Sequence, residues 1–256
     1  MPLVKAKKHL GQHFINNDQL AKDITELLSF NKDFQILEIG PGMGVLTKFL
    51  MNVNINFKVI EIDKESITYL KNKYPDFKEN IIEGDFLKFD LKKNFKSNIS
   101  IIGNFPYYIS SQILFRVWDH NEKIQELVGM FQKEVADRII ALKGRERGIL
   151  SVLIQDFYNV ENCIDVSPEN FTPPPKIQSS VIKLNRNNRK ELECSKKLFK
   201  QVVKTAFNQR RKSLRNALKT YNIKKDSKVE SLLSLRAEQL NVEDFIKITK
   251  HVEAIL

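Results

Sequence analysis

Asn104-Phe105-Pro106-Tyr107 closes an apolar run that ends in Ile101-Ile102-Gly103. An asparagine beside a proline presents side-chain and backbone oxygens as hydrogen-bond acceptors, while the proline fixes the turn and brings no N–H donor of its own. The neighbouring tyrosine offers a ring face on which a flat base can rest. Acceptors aimed at an exocyclic NH2 next to an aromatic platform suit transfer of a methyl group to a planar amine. Three further groups bear on that chemistry. Glu38-Ile39-Gly40-Pro41-Gly42-Met43-Gly44 spaces three glycines two apart, where backbone can turn sharply and approach a ligand closely. A pyrophosphate-binding turn wants glycine or alanine at position 45, which is Val45, so a cofactor without a pyrophosphate fits better. Glu61 follows Gly40 by roughly 20 residues, the spacing at which a carboxylate accepts both hydroxyls of a ribose. Asp85, after Glu83-Gly84, is an acceptor for an adenine amine.

Strand tips are needed to bring these groups together. Apolar runs at 35–39, 57–62, 80–83, 101–103, 127–130, 150–158 and 179–184 are bounded by turn residues and read as strands. Helical spacing at 44–51, 64–73 and 111–118 lies between the earlier ones. Strands alternating with helices predict an α/β domain with a parallel sheet covered on both faces. The last two strands are joined through Phe171-Thr172-Pro173-Pro174-Pro175, too short for a covering helix, so they are expected to pair antiparallel at the sheet edge. On this layout the glycine turn, the ribose acceptor, the adenine acceptor and Asn104 sit on successive strand tips. That order matches sites for S-adenosylmethionine.

The 256 residues suffice for one sizeable core with a small appendage. No apolar run approaches the ~18 residues of a membrane span, and Met1 to Phe14 is basic and lacks the apolar centre of a secretory signal. Cys163 and Cys194 are too few for a disulfide framework or a zinc site. A cytoplasmic chain without membrane contact is expected. The net charge of +11 is uneven: residues 186–256 hold 18 of the 42 basic side chains but only 8 of the 31 acidic ones. The expected division is therefore a catalytic domain over 1–185 and a basic helical domain over 186–256 that faces a polyanion, RNA before membrane. Within the second, 198–221, 228–233 and 242–255 read as helices.

The chain resembles the ribosomal RNA adenine N6-dimethyltransferases, most closely those acting on the small subunit. The resemblance runs from Lys7 to about Lys219 and rests on the motifs above together with others. They are Lys8-His9-Leu10-Gly11-Gln12-His13-Phe14, Phe131-Gln132-Lys133-Glu134-Val135, Phe171-Thr172-Pro173-Pro174-Pro175-Lys176 and Ala206-Phe207-Asn208-Gln209-Arg210-Arg211-Lys212. It implies a Rossmann-like S-adenosylmethionine-dependent methyltransferase sheet with a small all-helical C-terminal domain. His13, Ile15, Gly40, Gly42, Glu61, Asp85 and Asn104 would line the cofactor. Asn104, Pro106, Tyr107 and Phe171 would hold a target adenine, and Arg210, Arg211 and Lys212 would bind RNA. The implied substrate is a pair of adjacent adenosines in a hairpin loop near the 3′ end of 16S rRNA, methylated on the small ribosomal subunit or its precursor by a monomer that needs no metal. Phe105 stands where the family more often has leucine, and His13 where some members have asparagine. Packing roles weigh against several of these assignments: Phe171 as a core aromatic beside the prolines, Tyr108 as a packing residue, Arg210-Arg211-Lys212 as a solvated helix face. Two other functions compete: a large-subunit rRNA adenine methyltransferase of the macrolide-resistance type, and a ribosome-assembly or transcription factor that keeps the fold without catalysis. The triple-proline loop and the Phe-Asn-Gln-Arg-Arg-Lys run favour the small-subunit enzyme over the first. Retention of Glu61, Asp85 and Asn104 speaks against the second.

Overall fold

A computed structural model describes residues 4–53, 56–224 and 228–255. In chain order the strands are β1 (Phe14–Ile15), β2 (Phe34–Ile39), β3 (Phe57–Glu61), β4 (Ile81–Glu83) and β5 (Asn98–Asn104). They continue with β6 (Ile124–Gln132), β7 (Tyr158–Val166), β8 (Phe171–Thr172) and β9 (Ser179–Arg186). Seven of them form one sheet in the order β4-β3-β2-β5-β6-β9-β7, while β1 and β8 make a separate two-stranded ribbon. The pairs from β4 across to β6 are parallel, and β9 runs antiparallel to β6. Ile99, Ile101, Ile102, Leu127 and Val128 are fully buried. Central parallel strands covered on both faces need such continuous apolar runs rather than alternation.

Helix ends are set by local chemistry. Asp63 immediately follows β3 and Ile62, and it caps the helix Lys64–Lys73 by accepting from Glu65 N at 3.3 Å. Lys71 and Lys73 in the last turn complement the negative end of the helix dipole. The run 150–158 is not a strand. It belongs to the helix Ile149–Phe157, followed directly by β7. Its N-terminus is fixed by Ser151, whose Oγ accepts from Gly148 N at 2.8 Å and satisfies one of the donors that a helix start leaves open. The run 198–221 is likewise not one helix: Lys196–Asn208 ends at Gln209, and a short helix Leu214–Ala217 restarts after an extended Ser213.

The chain packs as two compact units. One takes the chain up to Ala136 and Asn159–Arg186; the other takes Asp137–Tyr158 and the chain from Asn187. The expected division after residue 185 omitted 137–158 from the helical unit. Buried Arg147 shows why that segment belongs there: its Nε donates to Leu240 O at 2.9 Å and its Nη1 to Ala141 O at 2.6 Å and Gln155 Oε1 at 2.7 Å. Burial lowers its pKa to about 10, and the carbonyls it binds take the place of water. No helix among the described residues is long and apolar enough to cross a membrane.

Candidate active site: a cleft at the strand tips

The C-terminal tips of β2, β3 and β5 and the loop after β4 open into one cleft of about 230 Å³. Gly40, Gly42, Glu61, Asp85, Asn104, Pro106, Tyr107 and His13 all line it. The turn after β2 needs glycine: Gly40 and Gly42 have φ of +68° and +56°, and a Cβ on Gly42 would lie 2.8 Å from a ring carbon of Phe14. Beside Gly40 the space is open, which lets a ligand approach the backbone itself.

Glu61 is held by three backbone N–H groups. Its Oε2 accepts from Gly42 at 3.1 Å, and its Oε1 accepts from Ile62 at 2.8 Å and Asp63 at 2.9 Å. Burial raises its pKa against the opposing pull of those donors. The carboxylate is thus oriented at the rim of the glycine turn. Asp85 accepts from Leu87 N through Oδ1 at 2.9 Å, leaving Oδ2 for a ligand. Arg116 steadies the same loop by donating to the carbonyls of Leu87, at 2.9 Å, and Phe89.

Asn104 donates from Nδ2 to the carbonyl of His13 at 2.7 Å. That bond fixes which way the amide faces, because a carbonyl only accepts, and it leaves Oδ1 as the acceptor. The His13 ring is bound in turn: Nδ1 lies 2.7 Å from Pro173 O, so Nδ1 carries the hydrogen. Its imidazole stacks against Tyr107 at 5.7 Å between centroids and 24° between planes. The Tyr107 hydroxyl is 2.5 Å from Ser179 Oγ, and burial raises its pKa. His13 therefore reaches this site through its backbone toward Asn104 and through its ring toward Tyr107. The Pro106 carbonyl accepts from Ile109 N at 3.1 Å and, at a longer 3.4 Å, from Ser110 Oγ. The hydroxyl can rotate away, which opens a lone pair to a ligand.

Two expected site residues lie elsewhere. Phe171 is 2% exposed and packs in the core, paired across the ribbon with Ile15. The pairing of β1 with β8 draws the ring inward, away from the residues that line the cleft. Ile15 is buried too, and with Asn104 and Gly40 it lines a smaller cavity of about 30 Å³. Glu38 lines that smaller cavity as well. Fully buried, it accepts from Thr47 Oγ1 at 2.7 Å, and desolvation pushes its pKa up to about 8. A carboxylate inside the strand Phe-Gln-Ile-Leu-Glu-Ile was the signal for it. Ile62 was not anticipated either: it is 54% exposed and lines the cleft just past Glu61. An apolar side chain left in water at a cleft wall is suited to cover a flat ring.

In the helical unit the three basic residues separate. Arg210 is committed internally, its Nε donating to Glu238 Oε2 at 2.6 Å and its Nη2 to the carbonyls of Gly144 and Arg145. Arg211 and Lys212 are exposed. Among the described residues no group of three or more His, Cys, Asp or Glu side chains is placed to hold a metal ion.

Counting sheet strands in chain order, the order is 3-2-1-4-5-7-6, with the seventh antiparallel to its neighbour β6. With a glycine turn and acidic acceptors on consecutive tips, this is the architecture of the Rossmann-like S-adenosylmethionine-dependent methyltransferases. A dimethyladenosine transferase from Plasmodium falciparum has this fold, with a TM-score of 0.76 at 23% identity over 92% of this chain and 96% of that one. So does the 23S rRNA methyltransferase ErmE, with a TM-score of 0.72 at 22% identity over 93% and 99%. The chain belongs to the ribosomal RNA adenine dimethylase family, whose profile matches residues 3–253. The ribosomal RNA small subunit methyltransferase A of Cytophaga hutchinsonii is 52% identical over 97% of this chain and 98% of its own.

Proposed function

We propose that the protein methylates N6 of two adjacent adenosines, twice each, in a hairpin loop near the 3′ end of 16S rRNA. The substrate would be the small ribosomal subunit or its precursor, and the enzyme a cytoplasmic monomer. The observation that carries this reading is Asn104, locked by the His13 carbonyl with Oδ1 free, at a strand tip beside Tyr107. The high identity to a small-subunit enzyme over nearly the full chain supports the choice of subunit.

The cleft fits S-adenosylmethionine. Gly40 leaves room for backbone contact, Glu61 is oriented for the ribose hydroxyls, Asp85 Oδ2 for the adenine amine, and Ile62 for the adenine face. When bound, this cofactor supplies a methyl group on a sulfonium, open to in-line displacement. The chain's own residues prepare the nucleophile. Adenine N6 attacks poorly because its lone pair is conjugated into the ring. Hydrogen bonds from N6–H to Asn104 Oδ1 and the Pro106 carbonyl favour a tetrahedral nitrogen and aim its lone pair. The proton leaves to water after the N–C bond forms. Catalysis here is positioning and electrostatics. The target must be unpaired or flipped, at a cost of a few kcal/mol that is least in a loop. Stacking on Tyr107, about 1–3 kcal/mol per base, offsets much of it.

The test is transfer of labelled methyl groups to undermethylated small subunits, to large subunits and to protein-free rRNA, with identification of the product nucleoside. N6,N6-dimethyladenosine confined to small-subunit RNA is the expected outcome. Label in large-subunit RNA would make this a resistance-type enzyme. Tight RNA binding without label would make it an assembly factor.

A further inference from the structure

Of the Phe, Tyr and Trp rings among the described residues, Tyr108 alone is exposed rather than buried or half-buried, at 58%. It also lines the cleft. It shares the 3-10 turn Tyr107–Ile109 with Tyr107, and successive side chains on such a turn point about 120° apart. Tyr107 turns inward, its hydroxyl on Ser179, and Tyr108 turns out to the mouth. The ring is seated: Gly11, with φ of +57°, passes beneath it so closely that a Cβ there would lie 3.0 Å from Tyr108 Cδ1. The N-terminal segment thus supports one side of the ring with bare backbone, and the ring stays in water instead of entering the core.

We propose that Tyr108 is a second stacking platform, for the nucleotide next to the target in single-stranded RNA. The inference rests on the reading of the cleft as an RNA adenine site. A base drawn into such a cleft leaves its neighbour unstacked on one face, and an aromatic ring at the mouth restores the stack without regard to which base it is. One ring inside for the target and one at the rim for its neighbour also suit a substrate of two adjacent adenosines.

The experiment compares wild type, Tyr108→Leu and Tyr108→Phe in three measurements: affinity for a single-stranded oligoribonucleotide carrying adjacent adenosines, affinity for S-adenosylmethionine, and KM and kcat for methyl transfer to small-subunit RNA. Because the residue is exposed, the variants should keep wild-type thermal stability. The expected result is a loss of oligonucleotide affinity of about 5- to 150-fold for Tyr108→Leu, corresponding to about 1–3 kcal/mol per stacked base. Its KM should rise with little change in kcat, its cofactor affinity should be unchanged, and Tyr108→Phe should stay within about twofold of wild type. Unchanged oligonucleotide affinity in Tyr108→Leu overturns the proposal, as does an effect confined to cofactor affinity. Failure of the wild type to methylate RNA would instead sink the parent reading, while the binding comparison would still decide the role of Tyr108.

Discussion

Asn104 has its donor engaged with His13 and its acceptor left over, so the two ends of one amide do different jobs. Replacing it with alanine removes the acceptor proposed for N6 without touching the basic surface. Asn104→Ala is expected to abolish methyl transfer while RNA affinity stays within about threefold of wild type; the size follows from Asn104 acting in the transition state rather than as an RNA anchor. Near-normal turnover in that variant would remove Asn104 from the reaction. Glu38 makes a separate prediction at the same scale. Its folded pKa, about 8, lies above its unfolded value of 4.5, chiefly because burial disfavours the charge. The folded state therefore holds a proton that the unfolded state releases in between. The stabilising contribution is complete below the unfolded value and fades as pH rises through the folded one. Each pH unit inside that window costs at most about 1.4 kcal/mol from this group. Glu38→Gln, which cannot ionise, should lose less stability than wild type between pH 5 and 8, as read by chemical denaturation at several pH values. Parallel curves for the two proteins would mean that Glu38 stays charged.

Phe105 shows how neighbouring strands are built around one side chain. Its ring lies between Gly103 on β5 and Gly129 on β6, which pair in register, and meets Phe131 edge-on at 5.2 Å. A Cβ on Gly129 would sit 2.2 Å from Phe105 Cε2, and one on Gly103 would sit 2.6 Å from Phe105 Cε1. Gly129→Ala should therefore destabilise the sheet by about 1–3 kcal/mol, the usual cost of overpacking. It should also impair methyl transfer, since the displaced ring is next to Asn104. Adding Phe105→Leu should recover part of both losses by removing the ring edge, and denaturation midpoints with turnover rates of the single and double variants would show it. An unperturbed Gly129→Ala protein would place the ring elsewhere. The sequence showed this region well because the end of a strand and the turn after it coincide in Asn104-Phe105-Pro106-Tyr107. It misled at 150–158, where an apolar run without a period fits a buried strand as well as a buried helix. The deciding bond, Gly148 N to Ser151 Oγ, involves a serine that the run itself makes inconspicuous. The burial of Phe171 was illegible for another reason: the pairing of Phe14–Ile15 with Phe171–Thr172 joins two-residue strands far apart in the chain, and strands that short leave no pattern to read.

Over the whole molecule, the basic excess of residues 186–256 implies RNA affinity that falls steeply with salt. The Gln-Arg-Arg-Lys run looks uniform in sequence, but the structure assigns its members to different tasks. Arg210 joins Glu238 to the carbonyls of Gly144 and Arg145, all within the helical unit, whereas Arg211 and Lys212 face solvent. Charge alone predicts that the three contribute alike to binding; hydrogen bonding predicts that they do not. Removing Arg210 takes the donor from Glu238 and from two accessible carbonyls, a loss of about 1 kcal/mol in stability because the pair is only partly buried. Removing Arg211 and Lys212 strands no such buried partner, because both side chains are exposed. Arg211→Gln with Lys212→Gln should therefore keep wild-type stability and lower the slope of log affinity against log salt by about 1 for each phosphate that is no longer neutralised. Arg210→Gln should do the reverse, lowering the unfolding midpoint while leaving the slope near wild type. Titrating RNA binding across salt concentrations, alongside denaturation of the same preparations, separates the two behaviours. Equal slopes in all three proteins would take Arg211 and Lys212 out of the RNA interface, and the phosphate-binding cations would then have to be sought among the other lysines of the helical unit.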